Sequence, residues 1–343
     1  MNLCKYGTNR VIEPKGAMPQ AAQIIDNKME IFPNETLIDV ISLNIDSASF
    51  AQLKSEADGD ENKIASKIME IVAERGKMQN PVTGSGGMLI GKIAKVGDNL
   101  KGRDLAAGDK IATLVSLSLT PLKISKINKI HMNIDRVDVE AQAILFETGI
   151  YAKLPNDMTE ALALAALDVA GAPAQVAKLV KPGDSVLVLG AGGKSGLMCC
   201  VEAMRRVGPT GNVVALYRSE RDGNNLTTNK FCHHAIQSDV TRPLDIMEKA
   251  VAVNGGKEFD ISINCVNVPG SEMASILPVR DGGTAYFFSM AVSFTRAALG
   301  AEGIGKDVTM LIGNGYSRGH AEITLELLRE SPALRKIFEE RFV

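Results

Sequence analysis

The sequence predicts an α/β fold in two parts, a β-rich first half and a second half built on a doubly wound parallel sheet. Before about residue 159, apolar and polar residues alternate as they do in half-buried strands. After it, short apolar runs alternate with helix-forming runs, which is typical of a parallel sheet with right-handed crossovers. One of those apolar runs, residues 186–189, leads into a glycine-rich turn and then a helix.

The first half is predicted to contain three main strands and one helix. Residues 35–43 alternate in the manner of a strand, and residues 88–96 and 111–117 form two further strand candidates joined by a turn-rich connection. The polar segment 55–75 carries Ile64, Ile68, Ile71 and Val72 at helical spacing, so we expect an inserted surface helix there.

The second half is predicted to alternate helices and strands. The helices are expected at 159–167, 173–180 and 195–207, and the strands at 186–189, 213–217, 259–265, 284–289 and 309–313. The tail, 319–342, is an amphipathic helical region broken near Ser331 and Pro332. We therefore expect a first domain at 1–158, onto which residues 315–343 pack back, and a second domain at 159–314.

The composition is that of an ordinary globular protein. Of 343 residues, 45% are hydrophobic and 23% charged, and the formal net charge is −2. This charge offers no attraction for nucleic acid or anionic lipid, and 4% aromatic residues offer few stacking surfaces for bases. Five scattered cysteines suit reduced thiols. With no apolar signal segment in residues 1–20 and no apolar membrane span, we expect a cytoplasmic protein without nucleic-acid or membrane partners.

The glycine turn at 190–197, Gly-Ala-Gly-Gly-Lys-Ser-Gly-Leu, is the strongest functional motif. Gly190 suits a tight turn, Gly192 leaves room for a pyrophosphate, and Gly196 permits close strand–helix packing. Amides at the start of the following helix would face the phosphates. The alternative is an ordinary strand-to-helix turn. The expected dinucleotide-binding residues of this turn are Gly190, Gly192, Gly193, Lys194, Ser195 and Gly196.

The ends of the later strands are expected to complete the cofactor site. In such sheets the ligand lies at the carboxyl ends of the strands, and the strands near 259–265 and 284–289 end beside the ribose and nicotinamide. The expected residues there are Cys265, Val266, Asn267, Ser289 and Met290.

The end of the second strand bears on the choice between NAD and NADP. An NAD enzyme usually places an acidic residue there, whereas this strand runs into Tyr217, Arg218 and Ser219. The Arg218 guanidinium and the Ser219 hydroxyl suit a 2′-phosphate. Residue chemistry therefore predicts that NADP(H) binds at least as well as NAD(H).

These motifs resemble the medium-chain dehydrogenase/reductase superfamily over most of the chain. The most specific stretch is 165–197, where Gly-Ala-Pro-Ala at 171–174 and Lys-Pro-Gly-Asp at 181–184 precede the glycine turn. The first half adds Asn-Glu-Thr-Leu-Ile at 34–38 and Gly-Asp-Lys at 108–110. The resemblance implies a GroES-like β-rich catalytic domain followed by a Rossmann-type dinucleotide-binding domain.

The positions of the usual zinc ligands depart from that superfamily. The resemblance maps them to Asp46, to the 84–86 stretch, which reads Gly-Ser-Gly, and to the region around Asp168. None of these positions carries Cys or His, and the clustered cysteines of a structural zinc lobe are missing from the sequence. We therefore expect no metal cofactor.

Within the zinc-free members, the chain resembles the diaminohexanoate dehydrogenase family of lysine fermentation. The resemblance rests on three stretches: Asn-Ile-Asp-Ser-Ala-Ser-Phe at 44–50, Thr-Gly-Ser-Gly-Gly-Met at 83–88 and the motif at 190–197. This resemblance implies NAD as the usual cofactor. It also implies oxidative deamination at C3 of a diamino acid, which yields a 3-oxo acid and ammonia.

Three carboxylates are candidates for the proton transfers of such a reaction. The substrate ammonium must lose a proton before hydride leaves, and water must then be activated. Asp46 and Asp168 are the first candidates because they fall where metal ligands would flank the nicotinamide, and a carboxylate also suits a cationic amine. Asp46 could instead be an Asx-turn residue, and Asp168 a helix-ending residue. Glu147 is the third candidate, with a solvated or salt-bridged side chain as its alternative.

Two other functions use the same cofactor domain. A zinc-free quinone or enone reductase would transfer hydride to a carbon–carbon double bond, and a dinucleotide-binding structural protein would catalyse nothing. Two carboxylates at the former ligand positions favour the amine dehydrogenase, because enone reduction needs little acid–base machinery. We expect a homo-oligomer, a dimer or a tetramer.

Overall fold

The computed structural model describes residues 3–289, 291–313 and 315–343. It divides into two compact units, Met1–Glu160 and Ala161–Val343. The first unit holds an antiparallel sheet and the second a parallel sheet, which confirms the predicted α/β fold.

The first unit is built on a six-stranded antiparallel sheet with the order β6-β7-β3-β4-β5-β8, and β1 and β2 form a separate hairpin. Alternate residues of β3 are buried, as the sequence pattern predicts. The strands are β1 (Val11–Glu13), β2 (Ile24–Ile25), β3 (Glu35–Asn44), β4 (Met88–Val96), β5 (Lys110–Thr113), β6 (Leu122–His131), β7 (Arg136–Phe146) and β8 (Tyr151–Lys153).

Two helices, rather than the one predicted, follow β3. They are α1 (Ser47–Glu56) and α2 (Glu61–Arg75), and each begins after an aspartate that caps it, Asp46 and Asp60. The spacing of Ile64, Ile68, Ile71 and Val72 places all four in the core, so α2 packs beneath the sheet with only its polar face outward. Short 3-10 turns lie at Thr8–Arg10, Asp98–Leu100 and Leu117–Leu119.

The second unit is built on a six-stranded parallel sheet with the order β11-β10-β9-β12-β13-β14. The order reverses on either side of β9, which creates a switch point at its carboxyl end. The strands are β9 (Ser185–Leu189), β10 (Asn212–Tyr217), β11 (His234–Gln237), β12 (Phe259–Asn264), β13 (Val279–Phe287) and β14 (Val308–Ile312). The helices that connect them are α5 (Lys194–Val207), α6 (Glu220–Thr228), α7 (Pro243–Val253), α8 (Glu272–Ile276) and α9 (Phe294–Gly303), with a 3-10 turn at Gly208–Thr210.

Four further helices flank this sheet in the chain, α3 (Glu160–Leu167) and α4 (Gly171–Leu179) before it and α10 (His320–Glu330) and α11 (Pro332–Arg341) after it. Within the described residues, no single helix is long and apolar enough to cross a membrane, although α3 and α4, bent by 51°, pass that test as a pair by length and composition.

The tail differs from the expectation that it packs back onto the first domain. Residues 315–343 belong to the second unit, where α10 packs on α4 and α5, and α11 packs on α5. Thr324 donates a hydrogen bond to the carbonyl of Ala170, and Glu330 pairs with Arg205 at 3.0 Å. Amphipathic spacing predicts the helices and the break at Ser331, but not the surface that receives them.

Candidate functional site

The glycine turn joins β9 to α5 at the switch point of the parallel sheet. Gly190 has a φ of +78°, a backbone conformation that favours glycine. A Cβ on Gly190 would lie 3.0 Å from Val266 Cγ2 and 3.2 Å from the backbone of Cys265. The structure therefore brings the predicted glycine turn against two of the residues predicted at the end of β12.

Gly196 is required by the close packing that the sequence predicts. A Cβ there would collide with the Gly190 carbonyl and lie 2.6 Å from Ala191 Cα, so the first turn of α5 sits directly on the glycine turn. Gly192 is crowded for another reason. A Cβ on Gly192 would lie only 2.5 Å from the Cβ of Asp222. The missing side chain therefore makes room for Asp222, and not for a ligand alone.

Gly193 is the glycine whose surroundings best fit a pyrophosphate. It is the exposed N-cap residue of α5 and makes no side-chain capping bond, and a Cβ there would meet only the Gly190 carbonyl, at 3.7 Å. The space beside the helix start is therefore open. Because helix N-termini favour anions, this cradle fits the phosphates of a dinucleotide.

Lys194 and Asp168 form an ion pair beside this cradle. Lys194 Nζ lies 2.5 Å from Asp168 Oδ2, so the carboxylate that follows α3 is tied to the first residue of α5. The apolar sequence around Asp168 suggests a buried, costly carboxylate, but its side chain is 40% exposed and compensated by the lysine. Asp168 thus lies beside the first residue of α5. Ser195, the second residue of α5, is half-buried there.

The residues expected beside the nicotinamide lie at the ends of β12 and β13. The Val266 amide donates to Asn264 Oδ1 and the Ser289 amide to the Asn264 carbonyl, so both follow the same strand end. Asn267 is exposed. Met290 lies outside the described residues.

Two thiols lie close together behind this strand end. Cys265 Sγ is 3.8 Å from Cys199 Sγ, and all five cysteines of the chain are free. Burial, with a smaller contribution from Cys265, raises the pKa of the Cys199 thiol well above its usual value. Cys199 is therefore a protonated packing residue rather than a nucleophile.

Asp46 uses only one of its two carboxylate oxygens to cap α1. Its Oδ1 accepts a hydrogen bond from the Ser49 amide at 3.0 Å, as the Asx-turn alternative predicts. Its Oδ2 is buried and has no hydrogen-bond partner among the described residues. Leaving a carboxylate oxygen unmet costs about 1–3 kcal/mol or more, so capping alone does not account for this side chain.

The 83–88 stretch lies against Asp46. Gly87 has a φ of +104°, and a Cβ there would lie 2.8 Å from the Asp46 amide nitrogen. Ser49 Oγ is hydrogen-bonded to Thr83 Oγ1 at 2.5 Å. The structure thus places the residues on either side of the 84–86 stretch against Asp46 and Ser49. The part of the chain that the structure describes holds no group of three or more His, Cys, Asp or Glu side chains able to bind a metal.

Glu147 is placed away from Asp46. It follows Phe146, which pairs with Glu35 at the first residue of β3, whereas Asp46 follows the last residue of that ten-residue strand. At ~3.3 Å per residue the strand is ~30 Å long, so the two carboxylates cannot serve the same reacting atoms. Glu147 instead accepts a 3.3 Å hydrogen bond from Asn34.

The first turn of α6, the helix that follows β10, contains an acidic residue that sequence reasoning missed. Arg218 and Ser219 are exposed, and Ser219 caps α6 and donates to Asp222 Oδ2 at 2.6 Å. Asp222 Oδ1 lies 3.1 Å from Arg341 Nη1 of α11. The Ser-x-x-Asp spacing of 219–222 is a capping signal, but nothing in the sequence links it to Arg341.

Comparison with known proteins identifies the family. Residues 9–155 match the model of the L-erythro-3,5-diaminohexanoate dehydrogenase N-terminal domain. The chain is 65% identical to the L-erythro-3,5-diaminohexanoate dehydrogenase of Acetoanaerobium sticklandii over 344 residues, with 100% of both chains covered. It is 61% identical to the protein of the same name from Fusobacterium nucleatum over 341 residues, with 99% of both chains covered.

Solved structures of low sequence identity share the fold. The zinc-dependent alcohol dehydrogenase 2 of Streptococcus pneumonia matches with a TM-score of 0.54 at 15% identity, over 92% of this chain and 88% of that one. A mycobacterial protein complexed with NADPH matches with a TM-score of 0.53 at 15% identity, over 95% and 86%. The fold is that of the medium-chain dehydrogenases/reductases. The chain is an oxidoreductase that belongs to the L-erythro-3,5-diaminohexanoate dehydrogenase family.

Proposed function

We propose that this enzyme oxidatively deaminates L-erythro-3,5-diaminohexanoate to 5-amino-3-oxohexanoate and ammonia, a step of lysine fermentation. In the balanced reaction, C3 loses a hydride to the nicotinamide cofactor, water supplies the new carbonyl oxygen, and the C3 nitrogen leaves as ammonia. The observation that carries the proposal is identity above 60% to two enzymes of that name over the whole chain. The quinone or enone reductase and the non-enzymatic alternatives are not favoured.

Asp46 is proposed as the group that accepts the substrate's proton. Its Oδ2, which has no hydrogen-bond partner in the part of the chain that the structure describes, is an acceptor held in place by the bond that Oδ1 accepts from the Ser49 amide. Fixed geometry of this kind supports general-base catalysis, because little reorganisation precedes the transfer. Asp168 already pairs with one ammonium group, that of Lys194, which supports a role in holding a cationic amine. Glu147 remains a weaker proposal because of its place at the far end of β3.

The cofactor is a nicotinamide dinucleotide, and the residues of the glycine turn fit it. When bound, it supplies the hydride acceptor, while the chain supplies the α5 helix start and the Gly193 cradle for its phosphates. Binding of NADP(H) at least as well as NAD(H), predicted from Arg218, stays a prediction. The position of Asp222 argues against the NADP(H) prediction, because a carboxylate beside the glycine turn disfavours a 2′-phosphate. Because Asp46 and Ser85 stand where thiolates or imidazoles would hold zinc, we propose that no metal takes part.

An assay of substrate classes tests this function. With the purified full-length protein, we expect NAD⁺ or NADP⁺ reduction with 3,5-diaminohexanoate and one ammonia released per cofactor reduced, in chelator-washed protein as in untreated protein. Alcohols and other β-amino acids serve as comparison substrates, and quinones are assayed with reduced cofactor. Quinone reduction without amine oxidation would contradict the proposal. Stoichiometric zinc tied to activity would contradict the metal-free mechanism.

We also propose that the enzyme is a cytoplasmic homo-oligomer, a dimer or a tetramer, without nucleic-acid or membrane partners. The support for assembly is the strand β14 at one edge of the parallel sheet and three apolar side chains, Phe294 and Leu299 of α9 and Ile312 of β14, which are 74%, 62% and 60% exposed. We expect light scattering to give a multiple of the 36.6 kDa chain mass. Phe294→Asp should lower that mass, whereas Leu244→Asp, at a 62% exposed position on α7, should not. A monomeric wild type would refute the proposal.

A further inference from the structure

We propose that Asn264 and Glu272, two buried residues of the second unit, are positioning residues for hydride transfer. Each holds the backbone of the connection from β13 to α9, whose described residues are 288–289 and 291–293. Neither side chain is proposed to touch the cofactor. Through this connection the two residues fix where the nicotinamide ring lies. This inference rests on the proposed cofactor site at the ends of β12 and β13 and deepens it.

The first anchor is Asn264, the fully buried last residue of β12. Its backbone carbonyl accepts hydrogen bonds from the Phe288 amide at 3.0 Å and from the Ser289 amide at 3.3 Å. Its side-chain Oδ1 accepts a hydrogen bond from the Val266 amide at 2.9 Å. One residue therefore holds the start of both connections that leave the carboxyl ends of β12 and β13.

Two buried serines at the start of α8 fix the orientation of the Asn264 side chain. Its Nδ2 donates hydrogen bonds to Ser271 Oγ and to Ser275 Oγ, both at 2.9 Å. Ser275 Oγ in turn donates to the Ser271 carbonyl at 3.2 Å. Because both hydrogens of the Asn264 amide are used within the chain, its oxygen is directed at the Val266 amide. The side chain is thus a support for the strand end rather than a group left open for a ligand.

The second anchor is Glu272, the first residue of α8. Its side chain is only 2% exposed, which is rare for a glutamate. Its Oε1 accepts a hydrogen bond from the Ser293 amide at 2.7 Å. Ser293 is the N-cap of α9, where the β13–α9 connection ends. The connection is therefore held at its start by Asn264 and at its end by Glu272, and both anchors meet at the first turn of α8.

The place of this connection gives the two anchors a consequence for catalysis. It leaves the carboxyl edge of the parallel sheet, where ligands of such sheets bind, and Ser289 is one of the residues predicted beside the nicotinamide. Hydride transfer requires close alignment of the two carbons, and a misplacement of about 1 Å can lower the rate ~10²-fold. Glu272 is the cleaner residue to test, because Asn264 also holds Val266, which lies against Gly190 of the glycine turn.

Paired calorimetric titrations of the full-length protein with NADH and with ADP-ribose, which lacks the nicotinamide, test the proposal. Glu272→Ala removes the acceptor of the Ser293 amide. We therefore expect NADH affinity and kcat each to fall ~10-fold, while ADP-ribose affinity stays within ~2-fold of wild type. Asn264→Ala should lower the ratio of NADH to ADP-ribose affinity in the same direction. An unchanged ratio in folded Glu272→Ala would overturn the proposal.

Glu272→Gln is the conservative variant that separates position from charge. Its amide oxygen can still accept the hydrogen bond from the Ser293 amide. We expect its kcat and its affinity ratio to stay near those of wild type. If glutamine lowers both as much as alanine does, the carboxylate acts through its charge, and the positioning role is refuted.

Asn254→Ala is the matched structural control. Asn254 follows α7, and its amide joins the Lys257 carbonyl to Asn212, the first residue of β10, both at 2.8 Å. Its loss should lower the melting temperature but leave the affinity ratio unchanged. An equal fall of the ratio in this variant would show general loosening and overturn the proposal.

Folding failure does not leave the question open. If one alanine variant does not fold, the other decides. If neither folds, Ser271→Ala, which frees one hydrogen of the Asn264 amide, should still lower the ratio, and an unchanged ratio there would count against the proposal. A wild type that binds neither NADH nor ADP-ribose would refute the proposed cofactor site instead.

Discussion

Asp46→Asn should lower kcat by at least ~10²-fold, the usual range for loss of a general acid–base group. Asparagine is an equally good N-cap, so its side-chain oxygen can still accept the Ser49 amide and keep α1 in place. What it removes is the basicity of the second oxygen, which is buried and has no hydrogen-bond partner among the described residues. The fall should appear in kcat rather than in KM if Asp46 moves a proton. Steady-state kinetics with saturating cofactor measure this split.

The chain offers a matched control in Asp60, which caps α2 as Asp46 caps α1. Its Oδ1 accepts from the amides of Asn62 and Lys63, so Asp60→Asn makes the same chemical change at an exposed helix start. We expect that variant to keep wild-type turnover.

Asp168→Asn should also lower turnover at least ~10²-fold if Asp168 holds the amine. Full activity in both the Asp46 and the Asp168 variants would rule out the carboxylate mechanism.

Local sequence pattern was sufficient to predict most of the parallel sheet. The apolar runs of β9 and β10 are continuous because strands buried on both faces carry few polar residues, and β12 keeps Phe259, Ile261 and Ile263 apolar in alternation. Strand β11 (His234–Gln237) was not predicted, because only Ala235 and Ile236 of its four residues are apolar and none of the four is fully buried. Its sequence therefore lacks the apolar signal on which the other strands were recognised.

Contacts between distant segments account for what the sequence did not reveal at the site. The glycine turn is local, so its backbone conformation and helix start follow from the order of its residues. The partners of Asp168 and Asp222, Lys194 and Arg341, come from other elements and have no local signal. For the same reason, the apolar neighbours of Asp168 in sequence gave the wrong environment for a side chain that is 40% exposed in the structure.

The remaining large effect is expected at Gly193, where valine should weaken dinucleotide binding by at least ~10²-fold, or about 2.7 kcal/mol, without unfolding the chain. Gly193 has φ −83° and ψ 171°, an extended conformation that a β-branched residue adopts without strain. Its Cβ would meet nothing closer than 3.7 Å. A side chain there instead occupies the open space at the α5 helix start that fits the pyrophosphate.

The other glycines of the turn give less direct tests of phosphate binding. A side chain on Gly192 would displace Asp222, and one on Gly196 would collide with the Gly190 carbonyl, so loss of binding in either variant could follow from a disturbed fold. Gly102→Val is the better comparison, since a Cβ on Gly102 meets no atom within 4 Å. We expect it to match wild type in NADH titration and thermal unfolding. Near-normal NADH affinity in a folded Gly193→Val protein would show that the phosphates do not lie at this helix start, because the valine side chain would fill the space that they need.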